Sequence, residues 1–502
     1  MAKTRFVSNT IRQTLPSVKM YNVNNIALFT TDPLIKGVNS FEVCNSLRSV
    51  AEFFGTNTNT YKMATAMFSQ VRKFIDGDGS LYIIPFNGVS ATSSTITTKN
   101  LTDNIPAIKS VSDGKVKFII DGTDYDINNL NFNNITNLKD VASIIQSKIS
   151  ESVLKIEVIE SNTKLKFSSL KVGLNSALEI EASSLTGTDL LDTTYLDSAT
   201  FVETAGANAS GETLKSACER ILALPMGQKP KFESLITTLR FELDYTENSY
   251  FKNLTSYLAG IEKIFTYTYS SVNDNANALL LKNASLTNIR LLIHKPSEVL
   301  EFTGATVSYL FSNKLSIANN SLTLNKKPLT GITPTLYWTE GEEESFKNYG
   351  VDYYIDDDGT PAYYSTTSHG GAFDGIYNLK FVDLTMTETL SNALNTTTKI
   401  PQTQAGITFI CSKMRGTLIS FRDNGVIALN GNIEWASTDM PQNISVKTFQ
   451  DIMKTQGFYI EVPDISKQSQ VDREQRLAPN IPYYVQFAGA VHRLFATGII
   501  QQ

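Results

Sequence analysis

Histidines, cysteines and clustered carboxylates are the side chains with which a protein does acid–base, nucleophilic or metal chemistry, and in this chain they are few and scattered. The only histidines are His294, His369 and His492. None has a second His, Cys or carboxylate at metal-ligand spacing, so they read as structural or surface groups. Cys44, Cys218 and Cys411 are odd in number and far apart, which fits buried reduced thiols better than a disulfide framework. A Cys–His nucleophile is the competing reading. No GxSxG, GxxxxGK[ST], GxGxxG or HExxH motif occurs, so hydrolase, phosphate-loop, dinucleotide and zincin chemistry have no anchor. Asp76-Gly77-Asp78-Gly79 and Asp356-Asp357-Asp358-Gly359 resemble the start of calcium loops, but neither continues to the bidentate Glu of an EF-hand. Asp-Gly pairs are ordinary turn chemistry, and turn is the preferred reading. The acidic run from Glu340 to Asp358 faces only Lys347 and reads as a solvated loop, with a docking patch as the alternative. No catalytic residue, cofactor or metal site is therefore expected.

Composition narrows the classes further. The chain has 502 residues, 44 basic against 49 acidic, a net charge of −5 and 19 % charged residues. That length suggests about three domains at roughly 100–200 residues each. The charge is below the ~25 % of an ordinary soluble protein, with Ser, Thr and Asn in its place. Such a chain needs another route to solubility, or is not meant to stay alone. Without a Lys/Arg block, nucleic acid is not an expected partner. Residues 1–20 have no apolar signal-peptide core, and no stretch approaches the ~18–20 apolar residues of a membrane span, so synthesis in a cytoplasm without membrane insertion is expected.

The elements that would carry these residues are of α/β (mixed α+β) class in several domains. Residues 1–24 lack apolar periodicity and read as an extended N-terminal arm. A first part of the core, 25–107, opens with the buried strand Ile26-Ala27-Leu28-Phe29, stopped at Thr31-Asp32-Pro33. A helix near 45–54 closes at Gly55, and a second carries Tyr61, Ala64, Met67 and Phe68 on one face. Leu81-Tyr82-Ile83-Ile84 is the next strand. Ala91 to Asn104 reads as a Thr/Ser-rich linker into an inserted α+β domain at 108–204. There Val116–Ile120, a turn at Asp121-Gly122 and the helix 138–149 precede two alternating segments, 156–159 and 165–167. The core resumes over 205–312 with a helix at 212–223, a long amphipathic stretch near 249–265, a strand-like Arg290–His294 and a helix near 299–311. A β-rich excursion at 313–366 separates this from a last core part, 367–482, with helices at 383–395 and 444–456 and strands at 426–429 and 458–462.

The final segment, 483–502, holds one formal charge, Arg493, yet carries Tyr483, Val485, Phe487, Val491, Leu494 and Ile499 in a strand-forming pattern. It is either the last strand of its own sheet or an arm that adds a strand to a neighbouring subunit.

Ordered along the chain, several short motifs resemble contractile tail sheath proteins of myophage-type bacteriophages, in the branch with a large domain inserted in the first half. They include Phe53-Phe54-Gly55, the run from Lys327 to Pro334, Asn348-Tyr349-Gly350, and Lys399 to Gly406. Further on come Gly457-Phe458-Tyr459-Ile460, Asp472 to Pro479 and Gly489-Ala490-Val491-His492. The similarity runs from about 22 to 500; Leu384 stands where the family has a Trp. The resemblance implies a non-enzymatic, multidomain sheath-type core with N- and C-terminal arms, forming stacked hexameric rings in a helical polymer around the tail tube. Its partners would be itself, the tail tube protein, and the baseplate and tail terminator proteins. It would reside in the virion after assembly in the host bacterial cytoplasm. Contraction would drive the tube through the host envelope, with stored free energy held in interfaces that differ between two packings. Lys447, Lys454, Arg473 and Arg476 are the candidates to face the tube, against the plainer reading that they are solvated charges. A tail or baseplate adhesin that binds receptors through 108–204 is the alternative function.

Overall fold

The computed structural model describes residues 22–491 apart from 36–39, 337, 358, 365–371, 431–434, 436 and 442. The N-terminal arm up to residue 21, His369, His492, Leu494 and Ile499 lie outside the described residues.

One eight-stranded sheet organises the body, in the order Thr360–Tyr364, Val351–Asp357, Ile289–Ile293, Ile264–Tyr269, Ser234–Thr237, Ile26–Thr30, Leu81–Pro85 and Glu42–Cys44. All neighbours run parallel except the two edge strands, Thr360–Tyr364 and Glu42–Cys44, which pair antiparallel. Strands covered on both faces read as continuous apolar runs, and IALFT and IRLLI do so with every residue buried. Successive side chains point to opposite faces. Ile26, Leu28, Leu81 and Leu292 accordingly join one core, while Ala27, Phe29, Leu235 and Phe265 join the other.

The first face is covered by the helices Leu47–Phe54, Asn59–Ser69 and Val299–Leu310, through Val50, Phe54, Met63, Met67, Phe302 and Ala305. Ser46 and Thr58 cap the first two by accepting the amides of Ser49 and Tyr61. The last two cross closely: a Cβ on Gly304 would stand 2.7 Å from the Met63 carbonyl oxygen. The second face is covered by Leu214–Leu222, Tyr250–Gly260, Asn275–Asn283 and Glu340–Tyr349, through Cys218, Ile221, Phe251, Leu254, Leu281 and Phe346.

Two long helices, Phe373–Thr396 and Gln404–Asn424, extend the first-face core through Tyr377, Phe381, Met386, Met414, Leu418 and Phe421. Asn24 ties this layer to the sheet. Its side-chain amide donates to the carbonyls of Gly77 and Asn313, both at 2.8 Å, and its Oδ1 accepts from the Tyr377 hydroxyl at 2.7 Å. A third core belongs to residues 96–196, where Phe118, Phe132, Ile145, Leu154 and Phe167 pack together. Asn137 caps the helix Leu138–Gln146 in a reciprocal arrangement with Asp140.

Four expectations need correction. Ala91–Asn104 is not only a linker: Thr95–Thr97 pairs with Lys164–Ser169, because Ile96 is an apolar residue that the third core buries. The β-rich excursion at 313–366 does not stand apart, since its strands Val351–Asp357 and Thr360–Tyr364 complete the main sheet. The acidic run is not a solvated loop: it forms the helix Glu340–Tyr349, capped by Thr339, and then a strand in which Asp352 is fully buried. The helix at 383–395 starts ten residues earlier, at Phe373, and the helix Gln404–Asn424 was not foreseen at all.

Candidate assembly surfaces

The groups that could do chemistry are absorbed into the fold. Cys44, Cys218 and Cys411 are free and buried, and burial pushes the Cys44 thiol up to about 11. His294 is completely buried, stacked 4.4 Å from the Phe302 ring centroid, with Thr335 Oγ1 at 3.3 Å from Nδ1 and Glu298 Oε2 at 3.4 Å from Nε2. Glu298, four residues on, is thus a carboxylate partner of His294, contrary to the expectation that this histidine has none. Burial lowers the His294 basicity below the usual imidazole range. Burial acts against ionisation of Glu298, but hydrogen bonds from His294, Lys295 and the Thr333 amide outweigh it and hold the carboxyl at about 2. Asp76 and Asp78 lie in a turn, where Asp76 accepts from the Lys73 amide and Asp78 adopts a positive φ of 59°. Among the described residues, no group of three or more His, Cys, Asp or Glu could hold a metal ion. No helix among them is long and apolar enough to cross a membrane.

The C-terminal region forms a small sheet apart from the main one. Tyr483–Val485 pairs antiparallel with Phe458–Ile460 of the same chain in a sheet of two strands. Gln486 continues the pairing by donating to the Gly457 carbonyl at 3.0 Å, and 486–488 then pairs antiparallel with 426–428 at the Ile427–Phe487 bridge, Ala428 donating to the Gln486 carbonyl at 2.8 Å and Ala488 to the Val426 carbonyl at 2.9 Å. Residues 483–488 are thus docked on their own body, which is the own-sheet reading of this segment and not the arm reading. The reason is aromatic packing: Phe449 of the helix Val446–Gln456 is edge-on to Tyr484 at 5.5 Å, to Trp435 at 5.3 Å and to Tyr459 at 6.0 Å. Gly457 ends that helix with φ +75°, and a Cβ there would stand 2.4 Å from the Ala428 carbonyl oxygen. Of the six arm residues, Tyr483, Val485 and Phe487 are half-buried against the body, and Val491 is 80 % exposed.

The four basic candidates are all exposed. Lys447 and Lys454 lie seven residues apart on the helix Val446–Gln456, which places them two turns apart on one face. Arg473, in the turn Gln470–Glu474, donates to the Ile465 carbonyl at 2.6 Å. Arg476 follows with a positive φ of 58°.

Comparison with known proteins places two parts of the chain. Residues 373–500 match the family described as E217 tail sheath protein gp31-like, C-terminal domain, and residues 91–202 match the E217 tail sheath protein gp31 insert domain. No curated protein matches in sequence. Among solved structures, the chain is similar to the sheath tail protein Lin1278 from Listeria innocua, with 13 % identity over 82 % of this chain and 86 % of that one and a TM-score of 0.38. A chain of the anti-feeding prophage baseplate is 9 % identical over 100 % of both, with a TM-score of 0.47. The flagellar cap protein FliD from Bdellovibrio bacteriovorus is 20 % identical over 24 % of this chain and 65 % of that one, with a TM-score of 0.17.

Proposed function

We propose, from the premise that this chain is a phage tail sheath protein carrying the insert and C-terminal domains of that family, that it is the repeating subunit of a contractile sheath. Subunits would stack as hexameric rings around the tail tube and be held to one another by their terminal arms. On triggering, the bodies would rotate and move outward as rigid units while the arms keep neighbours connected. The work comes from interfaces that differ between an extended and a contracted packing, so no nucleotide, metal or catalytic residue is needed. Tube, baseplate and tail terminator proteins are the partners this role requires, with assembly in the bacterial cytoplasm before incorporation in the virion. The exposed basic residues Lys447, Lys454, Arg473 and Arg476 are the proposed tube-facing set.

One observation carries the arm exchange. Among the described residues the C-terminal sheet has two strands extended by the single Ile427–Phe487 bridge, and beyond it a strongly exposed Val491 leads into a segment whose only formal charge is Arg493. An open strand edge presents backbone groups to which a further strand can add. Strands from adjacent copies would complete this sheet, beginning after residue 488.

The test is removal of 489–502, which leaves the Ala488 to Val426 hydrogen bond in place. The truncated protein should keep the thermal transition of the full chain and sediment as a monomer under conditions in which the full chain forms high-mass polymers. Polymers of normal length from the truncated protein would contradict the arm model.

A further inference from the structure

The region matched by the insert family meets the body along its two chain ends, where Ala91 donates to the Arg240 carbonyl at 2.8 Å, and again at a separate turn. Its two chain ends run side by side. Gly88–Val89 pairs antiparallel with Ser210–Gly211, and Thr92 and Ala207 exchange hydrogen bonds of 2.8 and 3.1 Å. A ribbon this narrow, with little apolar burial of its own, is a natural pivot. A second attachment is the single 3-10 turn Val272–Asp274, which follows the body strand Ile264–Tyr269. Val272 packs against both the insert core and the second-face core of the body. Its amide points to the Ser152 carbonyl at 3.4 Å, and Asn273 Nδ2 donates to Asp121 Oδ2 at 3.3 Å. Asp121 is itself fixed on the insert by Ser169 Oγ and the Ala177 amide, both at 2.9 Å.

Asp274 completes this contact and is badly placed for an anion. It is 4 % exposed, and its Oδ1 has no hydrogen-bond partner. The charges it faces come from both sides: Lys171 and Asp121 from the insert, Glu242 and Arg240 from the body. Tyr267 and Tyr269 of the adjacent strand also sense it. Glu242 of the body accepts hydrogen bonds from Asn175 of the insert, but its Oε1 is buried without a partner. A carboxylate ion with an unsatisfied oxygen in a desolvated site costs several kcal/mol, whereas the neutral acid costs far less.

We propose that Val272–Asp274 is a proton-operated latch: with Asp274 protonated the insert is held against the body, and with Asp274 ionised the contact opens and the insert pivots on the 88–92/207–211 ribbon. The direction follows from acidity. Burial first, then the carboxylates of Asp121 and Glu242, raise Asp274 from its ordinary 3.8 to about 7 in the closed contact, against the pull of Lys171 and Arg240. The closed form therefore holds the proton more tightly than the open, hydrated form. Closure is fully stabilised below about pH 4, weakens as pH rises, and levels off above about 7. Within that window Asp274 links one proton to closure, so its share of opening grows by roughly tenfold per pH unit, and Glu242, which burial also raises, acts in the same direction.

Hydrogen–deuterium exchange on the full chain, corrected for the intrinsic pH dependence of exchange, reads this directly. Peptides covering 271–275 and 150–154 should show opening that rises roughly tenfold per unit between about pH 5 and 6.5 and flattens above about 7. The body strand Ile264–Tyr269 should not follow. Asp274→Asn, a neutral isostere, should keep the contact closed and remove most of the pH dependence, leaving the share that Glu242 carries. Asp121→Asn, which removes one repelling charge, should move the plateau to lower pH and keeps the proposal testable should Asp274→Asn fail to fold. A flat wild-type profile, or an unchanged rise in Asp274→Asn, would overturn the latch, and so would a plateau that stays in place in Asp121→Asn.

Discussion

The guanidinium of Arg290 lies 4.4 Å from the ring centroid of Phe373, so a charge buried in the main sheet and the first residue of the long C-terminal helix share one contact. Arg290 is 1 % exposed and forms an ion pair with the fully buried Asp352 on the neighbouring strand. The Tyr363 hydroxyl closes a triangle, accepting from Arg290 Nη2 at 2.7 Å and donating to Asp352 Oδ2 at 2.9 Å. A buried pair adds little net stability, but removing one partner strands the other charge. Asp352→Ala should therefore cost about 3–5 kcal/mol, and Arg290→Met combined with Asp352→Leu should recover most of it. Urea denaturation of the single and double variants checks both statements.

Gly457 is the position at which the C-terminal sheet is most sensitive. Its φ of +75° and the Ala428 carbonyl 2.4 Å from a Cβ leave room for hydrogen only. Gly457→Ala should cost more than ~1 kcal/mol and loosen the pairing of Phe458–Ile460 with Tyr483–Val485. The two tryptophans separate this from general unfolding, because Trp435 packs on Phe449 and Tyr484 while Trp338 packs on Phe346. In a Trp338→Phe background the Trp435 emission should shift to the red. In a Trp435→Phe background the Trp338 emission should not.

Acid should weaken the sheet end at His294. Burial keeps this imidazole neutral in the folded state, with its basicity below the ordinary 6.5. A depressed folded-state value means that the stability is fully present above about pH 6.5 and is lost as pH falls below it. The loss is at most about 1.4 kcal/mol per pH unit for one group. Denaturation midpoints compared at neutral and mildly acidic pH should fall for the wild type and fall less for His294→Gln.

If the exposed basic residues hold the tube, reversing Lys447, Lys454, Arg473 and Arg476 to Glu should abolish sheath–tube co-assembly while sheath polymers still form. Each side chain is exposed, so the folded body should lose little stability. Co-sedimentation with tube polymers is the readout, and undiminished binding by the fourfold variant would exclude this surface.

What could be read ahead of the structure depended on whether a pattern was local. The strands Ile26–Thr30 and Leu81–Pro85 announce themselves as short apolar runs between turn residues, and the helices at 47–54 and 59–69 carry their caps in the sequence. The helix Gln404–Asn424 escaped because its buried residues, such as Cys411, Met414, Leu418 and Phe421, are diluted by Thr, Ser, Lys and Arg on the open face. Asp352 was hidden by its neighbours. In a run of acidic residues nothing local distinguishes the one whose partner, Arg290, lies sixty-two positions earlier. The proposed arm was legible as composition, but its pairing with Phe458–Ile460 was not, because strand partners are chosen by tertiary packing.

The central claim is that this chain builds a hollow helical sheath. Electron microscopy of the purified full-length protein tests it most directly. The account predicts long hollow tubes with a stacked-ring repeat, lost when 489–502 are removed. A full-length protein that stays monomeric or forms only closed small oligomers, at concentrations and ionic strengths that support tail assembly, would contradict it.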